Sequence, residues 1–324
     1  MRLWQRSMIA LARSRAVTEF MHGSRVVRPF SRRLVGGGNA AEAIETAQEL
    51  AQRSIATSLF FLGEYVDSEE LVRENVEALL QAVPAMAKAG LPLHVSVDPT
   101  QIGSMLSWSL CRENAFCIAR AVADAAAAHP LAQARTPGPA LMLDMEDASV
   151  NRETLALYHD LRQEGLPAAV TIQSYLHRSM DDLKELAAGG AFVRLVKGAF
   201  AESPAIAHTV RSARDASYKT AVNLLFAPES RENGVYPALG THDHAMIAYA
   251  AEVAAKNGWR RDQWEIEMLY GVRPAYQRRL VDEGFCLRLY LPFGRSWWPY
   301  SIRRIGETPR NLAFVLRAAV GAGR

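Results

Sequence analysis

Six polar side chains stand where short apolar runs end: Asp98, Asp144, Gln173, Lys197, His242 and Tyr290. Asp144 opens the run Asp144-Met145-Glu146-Asp147. A carboxylate straight after an apolar strand can orient or charge-balance a cationic partner, and Asp147 suits the N-cap of a following helix. Arg194 and Lys197 lie three apart in Arg194-Leu195-Val196-Lys197-Gly198-Ala199-Phe200. On a regular strand that spacing sends them to opposite faces. Lys197 with Gly198 can hold an anionic group close to the backbone, because glycine puts no side chain in the way; a surface ion pair is the plainer alternative. Arg303-Arg304 with Glu307 offers guanidinium groups suited to bidentate carboxylate capture. Arg303 and Glu307 are four apart and can pair on one helix face, and two solvated arginines are the alternative. Thr241-His242-Asp243-His244 suggests metal ligands, and with Asp144 it allows a metal-dependent hydrolase. A catalytic zinc normally takes three protein ligands, however, and no third histidine stands at a strand end. Asp243 also suits a helix cap.

The elements that must position these residues alternate. Strand-like runs cover Ile55 to Leu62, Leu93 to Val97, Ala140 to Leu143, Ala168 to Ile172, Ala191 to Val196, Gly234 to Gly240, Gln263 to Met268 and Phe285 to Leu291. Helix-period segments lie between and after them, among them Glu69 to Lys88, Trp108 to Ala128, Arg152 to Gln163, Asp243 to Asn257, Pro274 to Glu283 and Pro299 to Arg317. Strands alternating with helices imply parallel pairing and right-handed crossovers. The pattern predicts an α/β fold, a (βα)8 TIM-type barrel with extra N-terminal helices. An open doubly wound sheet accommodates the same alternation, but its outer strands would carry their polar ends away from any shared site. Residues 202–226 form a longer excursion, either a cap over the rim or a plain outer helix.

The chain has 324 residues, 49% of them apolar, and a net charge of +3. That composition is globular, and the charge is too small to argue for nucleic acid. Cys111, Cys117 and Cys286 form no C-x-x-C pair, so a reducing compartment is expected. No apolar run approaches the roughly 18 residues of a membrane span. The basic excess sits in residues 1–38, where eight arginines face the single acid Glu19. These residues read as a basic helical arm, with Gly36, Gly37 and Gly38 as a flexible joint to a barrel domain over 39–324. Such an arm can lie on anionic lipid or pack on the fold. Cytoplasmic residence is expected, peripheral at the inner membrane face if the arm touches lipid. In a eukaryote the same arginine-rich, acid-poor start would suit a mitochondrial presequence.

Taken together, the motifs resemble the proline dehydrogenase family, the monofunctional bacterial type. They are Leu143-Asp144-Met145-Glu146-Asp147, Gln173-Ser174-Tyr175-Leu176, Arg194 to Ala199, Thr241-His242-Asp243, Glu267 to Arg273, and Tyr290-Leu291-Pro292-Phe293-Gly294 through Arg303-Arg304-Ile305-Gly306-Glu307. The resemblance implies an FAD-dependent barrel that oxidises L-proline to 1-pyrroline-5-carboxylate and passes electrons to a quinone at a membrane. It implies Asp144 and Arg194 as catalytic residues and Arg303 and Arg304 as carboxylate ligands. Tyr290 would lie against the substrate ring. Met145, Gln173, Arg194, Lys197, Gly198, Ala199, Thr241 and His242 would bind FAD, and Glu307 would steady the arginine pair.

One departure stands out. The family pattern carries a lysine near the substrate, where this chain reads Ser96-Val97-Asp98-Pro99-Thr100-Gln101. An Asp98–Asp144 pair would repel unless one carboxyl is protonated or a cation intervenes. Asp98 therefore implies weakened proline oxidation, a more cationic cyclic amine as substrate, or a flavin-binding homologue without activity. Phe200, where the family usually has tyrosine, is a smaller change.

Overall fold

In the computed structural model, residues 34–63, 66–129, 137–297 and 300 are described. Eight parallel strands close into a barrel in sequence order. They are β1 Ile55–Phe61, β2 His94–Val97, β3 Ala140–Leu143, β4 Ala168–Gln173, β5 Phe192–Val196, β6 Tyr236–Gly240, β7 Glu265–Leu269 and β8 Leu287–Phe293. The barrel closes by a seven-residue register from Ile55 opposite Leu287 to Phe61 opposite Phe293. Its helices are α1 Ala40–Ala51, α2 Glu69–Lys88, α3 Trp108–Ala128, α4 Asn151–Gln163, α5 Ser179–Ala188, α6 Arg211–Leu225, α7 Pro228–Glu232, α8 His244–Lys256 and α9 Pro274–Asp282. The barrel expectation holds, with strand limits moved by one or two residues. β6, for example, starts at Tyr236 because Gly234 turns the chain with φ +83°.

Local chemistry accounts for the helices. In α2, Ser68 accepts from the Leu71 amide, Glu69 and Glu70 open the first turn, and Lys88 closes the last. Its Val72, Val76, Leu79, Val83 and Met86 recur at three and four residues and face the barrel. Outward strand residues such as Leu59, Val95, Leu141, Val170 and Leu195 meet these helices in one core. Each fully buried aliphatic side chain there contributes roughly 1.5–3 kcal/mol. The barrel interior differs. Ala140, Met142, Ala169 and Phe192 form a small apolar cluster, and a polar layer shares the interior with it.

Three expectations need correction. Gly36 to Gly38 form no flexible joint: the Gly36 amide donates to Pro292 O at 2.8 Å and Gly294 N donates to Gly37 O at 2.9 Å. A Cβ on Gly36 would lie 2.7 Å from Leu291, and one on Gly37 2.4 Å from Glu42. The glycines thus let residues 36 and 37 lie flat against the end of β8. Asp147 does not cap α4. It accepts from the Ser149 amide at 2.9 Å, in a turn of its own, and Val150 holds the cap position without a side-chain bond. The 202–226 excursion is part strap and part helix. Residues before α6 are stitched to the chain after β4 by the Leu176–Ala207 bridge and by His208 N to Tyr175 O at 2.8 Å.

The N-terminal arm through residue 33, the expected helix over 299–317 apart from Tyr300, and Arg303, Arg304 and Glu307 lie outside the described residues. Among the described residues, no helix is long and apolar enough to cross a membrane.

Candidate active site

β5 alternates, and the alternation sorts its cations. Arg194 points into the barrel and is 4% exposed. Lys197 lies on the other side, between Asp215 of α6 and Asp243 before α8, with Nζ 2.7 Å from Asp243 Oδ2. Asp243 also accepts from the Ala245 amide as the cap of α8, the role its type suggested. Burial works against its ionisation, but Lys197 overcomes this and holds the carboxyl below its usual range.

Asp144 follows β3 at the mouth and gathers three donors. Thr171 Oγ1 donates to Oδ1 at 2.8 Å, the Arg194 Nη1 group donates to the same oxygen, and the Tyr290 hydroxyl donates to Oδ2 at 3.0 Å. The Arg194 guanidinium also sits 5.4 Å from the Tyr290 ring centre, within cation–π range. Tyr290 is the fourth residue of β8 rather than its tip. It reaches the site from register with Leu269, the last residue of β7. Below the mouth, Arg194 Nε donates to Glu267 Oε2 at 2.7 Å and Nη2 to Ser96 Oγ at 3.1 Å. Burial disfavours charge on Arg194, but Glu267 and Asp144 outweigh it and keep the guanidinium protonated.

Asp98 is 9% exposed, and its amide donates to Gln101 Oε1 at 3.3 Å. Val97 pairs with Leu143, and Asp144 N donates to Val97 O at 2.9 Å. Asp98 and Asp144 are therefore equivalent positions one residue beyond neighbouring strands. Gln173 Nε2 donates to Met145 O at 3.1 Å, while its buried Oε1 has no partner among the described residues. Gly198 has φ +94°, and a Cβ there would fall 2.1 Å from the Tyr175 ring. Ala199 is exposed beside it. Thr241 Oγ1 accepts from Asp243 N at 3.1 Å, and His242 Nε2 accepts from Leu269 N at 3.3 Å. His244 instead stacks on Tyr276, 3.5 Å between ring centres, and bonds Arg273. Asp144, His242 and His244 therefore do not converge as ligands, which overturns the hydrolase alternative.

The structure thus brings Asp144, Arg194 and Tyr290 together, joins Gln173 to Met145, and sets Lys197 apart. Sequence reasoning missed Thr171, Ser96, His94 and the buried ion pairs of Glu267 with Arg194 and of Glu265 with Arg288. Their signal was present: a charged residue in step with the inward face of a strand, as Glu265 and Glu267 are.

A flavin suits these residues. The buried Gln173 Oε1 has no partner among the described residues and can accept from an N–H such as the flavin ring carries, and a buried, permanently charged arginine stands at the same mouth.

A parallel eight-stranded barrel with its charged groups collected at the strand ends is the architecture of a barrel enzyme. The proline dehydrogenase family model matches residues 43–317. The chain is 33% identical over 295 residues to Proline dehydrogenase 2 of Bacillus subtilis, covering 91% of each. It is 33% identical to Proline dehydrogenase 1 of the same species, covering 95% of this chain and 96% of the relative. A proline dehydrogenase of Deinococcus radiodurans is 32% identical, with 88% of each chain covered. In fold it is similar to proline utilization A of Bdellovibrio bacteriovorus inactivated by N-propargylglycine. That likeness has TM-score 0.76 and 23% identity, over 86% of this chain and 32% of that longer one. The chain belongs to the proline dehydrogenase family, a family of oxidoreductases.

Proposed function

We propose that this chain is an FAD-dependent proline dehydrogenase, oxidising L-proline to 1-pyrroline-5-carboxylate and passing the electrons to a quinone. The observation that carries the reading is the Asp144–Arg194–Tyr290 constellation at the mouth of a barrel of this family. When bound, the flavin supplies the hydride acceptor that side chains lack. Arg194 provides fixed positive charge where negative charge develops. Asp144 holds Arg194 and Tyr290 in place, and Tyr290 limits bulk against the substrate ring. Met145, Gln173, Gly198, Ala199, Thr241 and His242 would hold the flavin. Lys197 joins them through its remaining donor, since an ammonium has three and Asp215 and Asp243 use two. Arg303 and Arg304, steadied by Glu307, would grip the substrate carboxylate. Each charged hydrogen bond there is worth roughly 1.5–3 kcal/mol. Purified protein is expected to carry flavin absorbance at one per chain and to bleach anaerobically with proline. Colourless protein that does not take up added FAD defeats the reading.

Asp98 supports a second reading, a flavin-binding homologue with another cyclic secondary amine as substrate or with lost activity. Its place beside Asp144 adds a carboxylate where a cation was expected. Flavin reduction assayed against proline, hydroxyproline, pipecolate and basic cyclic amines separates the two. Of the arm expected over residues 1–38, residues 36 and 37 pack on β8; the arginine-rich stretch before them is the proposed second unit, a basic arm bringing a cytoplasmic enzyme to the anionic inner membrane face where quinone resides. Flotation of the full chain with anionic vesicles, lost on deleting the arginine-rich start, is the expected result.

A further inference from the structure

We propose that Glu267 is a proton-holding positioning residue, which gains and loses a proton against His94 and thereby sets how strongly Arg194 is drawn away from Asp144. The proposal takes Arg194 as the site cation, but its test needs neither flavin nor turnover, so it stands or falls separately from the proposed activity.

Glu267 is 4% exposed and His94 1%. Glu267 uses Oε2 for Arg194, and His94 uses Nδ1 for Ser58 Oγ at 2.8 Å. Glu267 Oε1 and His94 Nε2 have no partner among the described residues. Ligand-type atoms of His94, Glu265 and Glu267 nevertheless lie within 4.8 Å of one another. The two orphaned atoms belong to side chains of this cluster, and a proton shared between them through one bridging water satisfies both.

That link closes a ring: Arg194 to Glu267, to His94, to Ser58, to Ser96 at 2.8 Å, and back to Arg194. With Glu267 protonated, Oε1–H donates through the water to His94 Nε2, Nδ1–H to Ser58 and Ser58 to Ser96. With Glu267 ionised, the serines and imidazole reverse, and Nε2–H donates through the water to Glu267. With Glu267 ionised every donor of the ring has an acceptor, and with Glu267 protonated the Ser96 hydroxyl turns away from Ser58, so the exchange needs only hydroxyl and imidazole rearrangement.

Charge selects a proton over a metal. Glu267 faces Glu265 on its own strand, Arg194 of β5, Arg288 of β8, His94 of β2 and Tyr236 of β6, with Asp144 behind Arg194. Burial, with Arg288 and Arg194, keeps His94 neutral. Three carboxylates, Asp144, Glu265 and Glu267, then meet two guanidiniums. One proton cancels the surplus, whereas a divalent cation would leave net positive charge beside both arginines. Consistently, burial pushes Glu267 up to about 7; Arg194 opposes the rise and Glu265 adds to it.

The experiment is infrared difference spectroscopy of the full chain between pH about 5.5 and about 8.5, bracketing the raised carboxyl. The expected result is a carboxylic-acid C=O band at the lower pH that disappears at the higher. 13C labelling of glutamate side chains should move it, and Glu267→Gln should abolish it. Arg194→Met should raise the titration midpoint by about one pH unit or more. No glutamate band in the wild type, a band that survives Glu267→Gln, an unmoved midpoint, or one tightly held divalent metal per chain overturns the proposal. The labelled wild type decides for or against a titrating glutamate even if a variant fails to fold.

Discussion

Asp144 serves three donors from three strands, so its charge and its shape are separable. Asp144→Asn keeps the shape but removes the charge that balances buried Arg194. Breaking a buried pair this way costs about 3–5 kcal/mol, and kcat/KM for proline is expected to fall at least about tenfold. Tyr290→Phe removes one hydroxyl bond worth about 1 kcal/mol, so a severalfold loss is expected. Arg303→Ala or Arg304→Ala should weaken binding of the proline analogue tetrahydrofuroate by about 10- to 100-fold, the equivalent of 1.5–3 kcal/mol; equilibrium titration reads this. Asp98→Lys is expected to raise proline turnover, because it exchanges a carboxylate for a cation at the strand end beside Asp144. A fall in turnover would assign Asp98 to a different substrate.

β5 and the loop after it show what an element does for the site. Spacing alone sent Arg194 and Lys197 to opposite faces, and the strand keeps them there. The turn after β5 depends on Gly198, where φ is positive and the Tyr175 ring fills the space of a Cβ. Gly198→Ala should destabilise the protein by roughly 1–3 kcal/mol, measured by urea denaturation. The glycines at 36 and 37 read as a joint because glycine serves both mobility and close approach. Only the neighbouring Leu291 and Glu42 side chains distinguish the two uses. The same limit applies to Asp147, whose type suits an N-cap and an isolated turn equally.

For the whole molecule, barrel closure brings buried charge into one interior. Arg288 of β8 pairs with Glu265 of β7 at 2.7 Å and donates to Thr57 O of β1 at 3.0 Å, crossing the closing seam. Arg288→Met leaves Glu265 alone and should cost about 3–5 kcal/mol, read as a lowered urea midpoint. Glu267 gives stability a pH slope. Its carboxyl binds a proton more tightly folded, at about 7, than the ordinary 4.5. Its stabilising contribution is therefore full below 4.5 and is lost as pH rises to about 7. Melting temperature should fall over that window more steeply in the wild type than in Glu267→Gln.

Periodicity was enough to determine the eightfold alternation, because strand and helix periods are local properties of the chain, and polar residues near the ends of the apolar runs then favoured a barrel over an open sheet. Motif order carried the family in the same way. The partners of Arg194 come from β2, β3, β7 and β8, separated from it by 50 to 98 residues. No local rule ties Glu267 to His94, nor tells an acid whose carboxyl burial will push up from one that solvent leaves in its usual range. Closure of the barrel decided that, by removing water from the groups it brought together.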